Sequence, residues 1–420
     1  MTQKTRKGLR PSLALAISAG IATLASAGSA SAEGFINDAK VNLNLRNFYI
    51  NRNFVDPANT QSKAEEWTQS FILDARSGYT PGVVGFGVDM LGMLAVKLDG
   101  GRGTYGTGLL PRHSDGRPAD DYGRLAAAAK AKISKTELKV GEWMPVLPIL
   151  RADDGRSLPQ TFEGAQITMR EIDNLNVYGG QFRQTSERND ASMEDMFYGG
   201  GFSDRFNFAG GDYTFNEKRT TVGVWYGELK DVYNQTFFNV IHSQPINDNL
   251  VLGANLGYFT GDDDGSKRAG SLDNRTYSGL FSLKTGYHTA YVGLQKVSGD
   301  TGWMRVRGTS GGTLANDSFN SSYDNAKERS WQVRYDYDLA GWGIPGLKFM
   351  TRYIKGDHVE TASTNDGKEW GRETELAYIV QSGAFKDLSI RWRNSSMRRD
   401  FSTNEFDENR LIFNYPLSLL

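Results

Sequence analysis

The sequence predicts an all-β protein: a transmembrane antiparallel β-barrel of 18 strands, with short periplasmic turns, long extracellular loops and a constriction loop folded inward. Three observations carry this expectation. Segments of alternating apolar and polar residues recur from residue 39 to the end. No window reaches the roughly 18 uninterrupted apolar residues that a spanning helix needs. Connections between segments are short and long in alternation, as in outer-membrane barrels. A strand that crosses lipid must satisfy each backbone group through a neighbour, so the sheet has to close, and closure accounts for the even strand number.

Residues 1–32 read as a separate unit. Lys4, Arg6, Lys7 and Arg10 make a positive start, "LALAISAGIATLA" is a short apolar stretch, and "ASA" ending at Ala32 is a small-residue cleavage site. Together these read as a secretory signal peptide, with the barrel occupying 33–420. Without that segment 44 of the 48 basic residues remain against 49 acidic ones, a net of about -5. The absence of cysteine excludes disulfides and thiolate metal sites. The balance of charge argues against nucleic acid as a partner.

The strands are expected at 39–51, 65–78, 83–98, 126–134, 136–143, 159–171, 174–187, 204–214, 219–229, 233–244, 249–260, 275–286, 289–298, 328–339, 346–356, 371–382, 387–398 and 408–420. "WQVRYDYDL" has the clearest alternation, with Trp331, Val333, Tyr335, Tyr337 and Leu339 opposite Gln332, Arg334, Asp336 and Asp338. "YGRLAAAAKAKI" is ambiguous between a helical turn or two and a strand. Turns such as "TPG", "NEKR" and "INDN" follow even-numbered strands, whereas long segments such as 99–125, 144–158 and 299–327 follow odd-numbered ones. Trp331, Trp392, Tyr335, Tyr337, Tyr353 and Tyr378 fall at or near strand ends, where interfacial girdles belong. The last strand ends in Leu420, where many outer-membrane strands end in Phe.

Catalytic motifs are absent. His113, His242, His288 and His358 are neither paired for a metal nor part of a nucleophile motif, and neither G-x-S-x-G nor H-E-x-x-H occurs. "GDDDG" at 261–265 reads as a solvated loop, with weak calcium contact as the alternative. No cofactor is expected. What remains is a set of cations opposite the apolar faces: Arg46, Arg76, Arg170, Arg334, Lys348, Arg352, Arg391, Arg393 and Arg410. Lining a narrow aqueous path, guanidiniums would pass a carboxylate from one to the next. Arg391 and Arg393 in "LSIRWR" stand out, because no acid follows in their strand before Asp400. The segment "PVLPILRADDGRSLPQ" at 145–160, stiffened by three prolines, is the expected constriction, with Arg151, Asp153, Asp154 and Ser157 as its eyelet residues.

"LAVKLDGGRGTYGTGLLPR", "GEWMPVLPILRADDGRSLPQTFEG", "NLNVYGGQFRQTSERN" and "RLIFNYPLSLL" resemble the outer-membrane porin D (OprD) family of Gram-negative bacteria, in order along the chain. The resemblance implies a monomeric 18-stranded channel in the outer membrane for small carboxylate-bearing nutrients, a weak trimer being the alternative. It implies a ladder of basic residues on one lumen wall. By position the ladder takes in Arg391, Arg393 and Arg410, with Arg46 and Lys348 or Arg352 less directly matched. The opposing side would draw on Asp300 or Asp317 of the seventh loop. The expected function is passive uptake of small carboxylates, cyclic or aromatic monocarboxylates before others; the partners are those solutes, outer-membrane lipid and lipopolysaccharide. The alternatives are a channel for basic amino acids and peptides, a general diffusion porin and, furthest, a barrel enzyme.

Overall fold

The computed structural model describes residues 33–420; the expected signal peptide lies outside the described residues. One closed sheet contains 18 strands. They are β1 (Lys40–Phe54), β2 (Lys63–Arg76), β3 (Val84–Gly100), β4 (Asp121–Ile133), β5 (Thr136–Trp143), β6 (Thr161–Met169), β7 (Leu175–Ser186), β8 (Phe206–Phe215) and β9 (Thr220–Leu229). The second half continues with β10 (Tyr233–Asn247), β11 (Leu250–Asp263), β12 (Asp273–Thr285), β13 (His288–Ser298), β14 (Arg329–Asp338), β15 (Leu347–Val359), β16 (Gly367–Ile379), β17 (Ser389–Arg399) and β18 (Phe406–Ser418).

Neighbours in sequence pair antiparallel throughout, and β18 returns to β1 over Asn42–Phe54 and Phe406–Ser418. Closure leaves no open edge, which is what lipid demands of a sheet. A short helix α1 (Glu33–Asn37) tucks against the first periplasmic turn, where the Gly78 N–H donates to Phe35 O at 2.9 Å. The ambiguous alanine run is the strand β4: Ala126 and Ala128 turn inward and are buried, and Lys130 ends the row in an ion pair with Asp89 at 2.7 Å. Alternation decides the matter, because a helix would have scattered these inward positions around its circumference.

Outward side chains form the lipid face, with Val224, Phe238, Leu256, Phe281, Leu294 and Val333 all exposed. Trp331 and Trp370 flank Tyr353 at ring separations of 5.8 and 5.9 Å, an aromatic band toward the extracellular rim.

The interior departs from the expected polar lumen. On the β6–β12 side Phe182, Phe206, Trp225, Phe237 and Phe259 point inward and are buried. Leu147, Ile149 and Leu150 of the third loop (144–160) pack on them, as do Trp303, Met304, Val306 and Leu314 of the seventh loop (299–328). On the β1–β4 side Leu109, Leu110 and Leu158 pack against Phe48, Ile50 and Met93. The loops thus fill part of the barrel with an ordinary hydrophobic core, which the hydrophobic effect holds in place. The rest of the interior is lined by the charged inward positions of β14–β18 and β1.

Candidate functional site

The charged wall is built by strand register. Because inward positions recur every second residue, antiparallel pairing aligns them into rows across the sheet. The first row runs Arg334, Arg352, Glu373, Ser395, Glu408 and Arg52. Beneath it, toward the periplasm, lie Asp336, Met350, Glu375, Arg393, Arg410 and Ile50. Asp338, Lys348, Ala377, Arg391 and Ile412 form the third row. Cations and carboxylates therefore interleave between strands as well as along them, as in the same-strand pairs Arg334–Asp336 and Arg410–Glu408.

Arg391 and Arg393 have no acid in their own strand before Asp400, as expected, but the neighbouring strand supplies one. Glu375, opposite Arg393 on β16, bonds Arg393 Nε and lies 3.5 Å from Arg391 Nε. One carboxylate thus serves two guanidiniums. Arg391 Nε has no hydrogen-bond acceptor, although it is shielded from solvent, and unmet buried donors are rare in folded proteins.

Three other cations of the expected ladder hold loops. Arg46 grips the tip of the third loop, donating to Asp154 Oδ1 at 2.8 Å and Oδ2 at 3.1 Å, and to Arg156 O at 2.8 Å. Arg352 pairs with Glu373 at 2.6 Å and donates to Asp317 O at 2.9 Å. Arg410 is 2% exposed; it pairs with Glu408 at 2.6 Å and donates to Phe319 O at 2.9 Å and Asn320 Oδ1 at 2.6 Å. Little of these three faces water, whereas the side chains of Arg391 and Arg334 are 37% and 31% exposed. Lys348 is exposed near the periplasmic end of β15.

The expected eyelet residues separate as well. Asp153 pairs with Arg188 of the fourth loop (187–205) at 2.6 Å, and Ser157 is buried against Thr68 at 2.8 Å. Arg151 is exposed, with no ion pair among the described residues. Asp300 is exposed and pairs with Lys327 at 2.6 Å, so it has no place in the packed loop; Asp317 does, accepting from Ser322 Oγ at 2.7 Å. Burial pushes the Asp317 carboxyl up to about 6 against the pull of Ser322, Arg305 and Arg352, with Asp324 adding to the rise.

Phe319 was not foreseen from the sequence. Its ring sits among three guanidiniums, with Arg393 at 4.1 Å, Arg352 at 5.2 Å and Arg410 at 5.8 Å from the centroid. Its own N–H donates to Glu373 at 2.8 Å. Arg156 was missed too; it is buried without a carboxylate, donating to Thr107 O at 2.9 Å and Gly155 O at 2.7 Å. The hairpin 146–151 is tied to the seventh loop by Ser310 N–H to Arg151 O and Thr313 Oγ1 to Pro148 O, both 2.9 Å. Among the described residues no cluster of three metal-ligating side chains occurs, and in the "GDDDG" loop Asp263 pairs with Lys267 at 2.8 Å.

Residues 33–419 match the family model described as outer membrane porin, OprD family. The chain belongs to the OprD family. It is 63% identical to the porin-like protein GalP of Pseudomonas putida, with 100% of both chains covered. Among solved structures it is similar to a BenF-like porin from Pseudomonas fluorescens Pf-5, at 66% identity and a TM-score of 0.91 over 92% of this chain and 100% of that one. Pseudomonas aeruginosa OccK2 (OpdF), solved in complex with glucuronate, is 61% identical with a TM-score of 0.85, and Pseudomonas aeruginosa OpdK, solved with vanillate, is 50% identical with a TM-score of 0.88; each covers 92% of this chain and 100% of its own. The protein is an outer-membrane porin of a family made up of channels.

Proposed function

We propose that this OprD-family porin carries small carboxylate-bearing solutes down their gradient, cyclic and aromatic monocarboxylates in preference to others. The observation that carries the reading is the imbalance at Glu375: one carboxylate faces both Arg391 and Arg393, and Arg391 Nε has no acceptor. An arriving carboxylate adds a second acidic partner at the exposed part of the Arg391 side chain, and charge-assisted hydrogen bonds to guanidinium are worth about 1.5–3 kcal/mol each. That is strong enough to select and weak enough to release. The solute then moves on, and the two guanidiniums share Glu375 again.

Phe319 supports the preference for a ring. Its half-buried side chain gives an apolar surface 4.1 Å from the Arg393 guanidinium, so a flat ring bearing one carboxylate meets both a hydrophobic and a cationic partner. A solute with a positive charge meets Arg334, Arg391 and Arg393 instead, which disfavours basic amino acids. The glucuronate bound by OccK2 and the vanillate bound by OpdK are carboxylates of the same class. Cleavage near Ala32 would deliver the mature barrel to its membrane.

Liposome swelling with benzoate, glucuronate, succinate and lysine tests the order of preference. Benzoate and glucuronate are expected to permeate fastest and lysine slowest. Equal rates for all four would identify a general diffusion pore, and fastest entry of lysine would reverse the assignment.

A further inference from the structure

The outer surface of the barrel carries a groove that solute transport does not use. It has a volume of about 540 Å3 and lies where β12, β13 and β14 meet. The outward side chains Tyr277, Phe281, Leu294 and Trp331 wall it, so it opens to the surroundings of the barrel and not to the lumen. Its floor is Gly279, an outward position without a side chain between Tyr277 and Phe281. On a surface of large apolar residues that single omission makes the hollow.

Cations rim its upper end. Lys296, two residues from the extracellular end of β13, stands opposite Arg329 at the extracellular end of β14. Lys355 stands opposite Trp331 on the next strand. All three are exposed. Arg329 is partly compensated by Asp357 at 3.4 Å and lies against His358, whereas Lys296 and Lys355 have no carboxylate partner among the described residues. Three cations thus face one acid directly above an apolar hollow, at the extracellular ends of the strands.

We propose that this groove binds a phosphorylated lipid of the outer leaflet, with one acyl chain over Gly279 between Phe281, Leu294 and Trp331 and a headgroup phosphate held by Lys296, Arg329 and Lys355. Charge complementarity selects the occupant. A zwitterionic headgroup would offset part of the cationic rim, and an uncharged one would leave Lys296 and Lys355 without an anion, while a phosphate monoester such as those of lipid A satisfies them. The site is separate from the arginine wall, so lipid binding and solute conduction are independent of each other.

Native mass spectrometry of the delipidated full barrel in non-ionic detergent tests the proposal, titrated with hexa-acylated bis-phosphorylated lipid A and with the same lipid dephosphorylated. The K296Q/K355Q variant is expected to bind the phosphorylated lipid about 25-fold more weakly, since each of the two surface cations contributes about a fivefold factor toward an anionic lipid. Gly279→Leu fills the groove and is expected to lose the lipid; its Cβ would meet Leu256 at 3.4 Å and Phe281 at 3.5 Å, ordinary contact distances. Both variants are expected to keep wild-type single-channel conductance. The K296R/K355R variant restores binding and guards against a folding defect. Wild-type affinity in the glutamine variant, or equal binding of the dephosphorylated lipid, would overturn the phosphate assignment. Displacement of the lipid by millimolar inorganic phosphate would show a simple anion site and overturn the lipid assignment.

Discussion

Arg46 on the first strand and Asp154 at the tip of the third loop form a two-pronged ion pair, 2.8 and 3.1 Å long, across the lumen wall. The pair fixes the part of the loop that its hydrophobic anchors leave free, since Leu147, Ile149 and Leu150 hold one end and Leu158 the other. Asp154 is nearly half exposed, which limits the pair to about 1 kcal/mol. Arg46→Ala is therefore expected to leave the barrel folded while raising open-channel current noise in planar bilayers. Asp154→Asn is expected to do the same, and a quiet channel in both variants would separate the pair from loop position.

Gly356 makes room for the seventh loop. A Cβ there would collide with Glu328 Oε1, and one at Gly371 would stand 2.5 Å from the Tyr323 hydroxyl. Gly356→Ala is expected to lift the loop base from the wall, raising conductance severalfold and weakening solute preference. Single-channel recording checks this, and unchanged conductance would show that the loop is held elsewhere.

Acid should tighten the same loop. Asp317 has its carboxyl raised to about 6 by burial, so it holds its proton more firmly in the packed loop than in a released one, where the ordinary value is about 3.9. Below that lower value both states are protonated and the packed loop has its full stability. As pH rises toward about 6 the released loop ionises first and the packed state loses ground, with no further loss above. Current noise is thus expected to increase between these limits, and Asp317→Asn to abolish that increase. Glu328, also raised by burial and by the neighbouring Glu369 charge, extends the trend to higher pH, and Glu328→Gln removes that extension.

The eighteen strands were legible because their cause is local: Trp331, Val333 and Tyr335 face lipid while Gln332, Arg334 and Asp336 face inward, and period two records it directly. Strand ends moved by up to five residues, as at Asp121, where polar residues extend a strand past the apolar run. Residue types also marked Arg391 and Arg393. Which arginines Glu375 pairs with was not decided by residue types, since it sits on another strand and only register brings the three together. Phe319 was hidden for a stronger reason: "SFNSSYDNA" has no periodicity, and its ring acquires a role only when the seventh loop folds back onto three arginines. The inward aromatics Phe182, Phe206 and Trp225 look like breaks in alternation until the loops that cover them are in place.

If Phe319 gives the channel its taste for rings, Phe319→Ala should reduce benzoate block more than acetate block, by about tenfold against less than threefold, as expected for loss of an aromatic contact of about 1 kcal/mol or more. Equal losses for both acids would assign the preference to charge alone.

The most direct measurement is benzoate block of single-channel current in the double variant Arg391→Ala with Arg393→Ala. Loss of the two guanidiniums that share Glu375 is expected to weaken block by about tenfold to a hundredfold, the equivalent of one or two charge-assisted hydrogen bonds. Block and benzoate uptake unchanged from the unmodified channel would contradict the account.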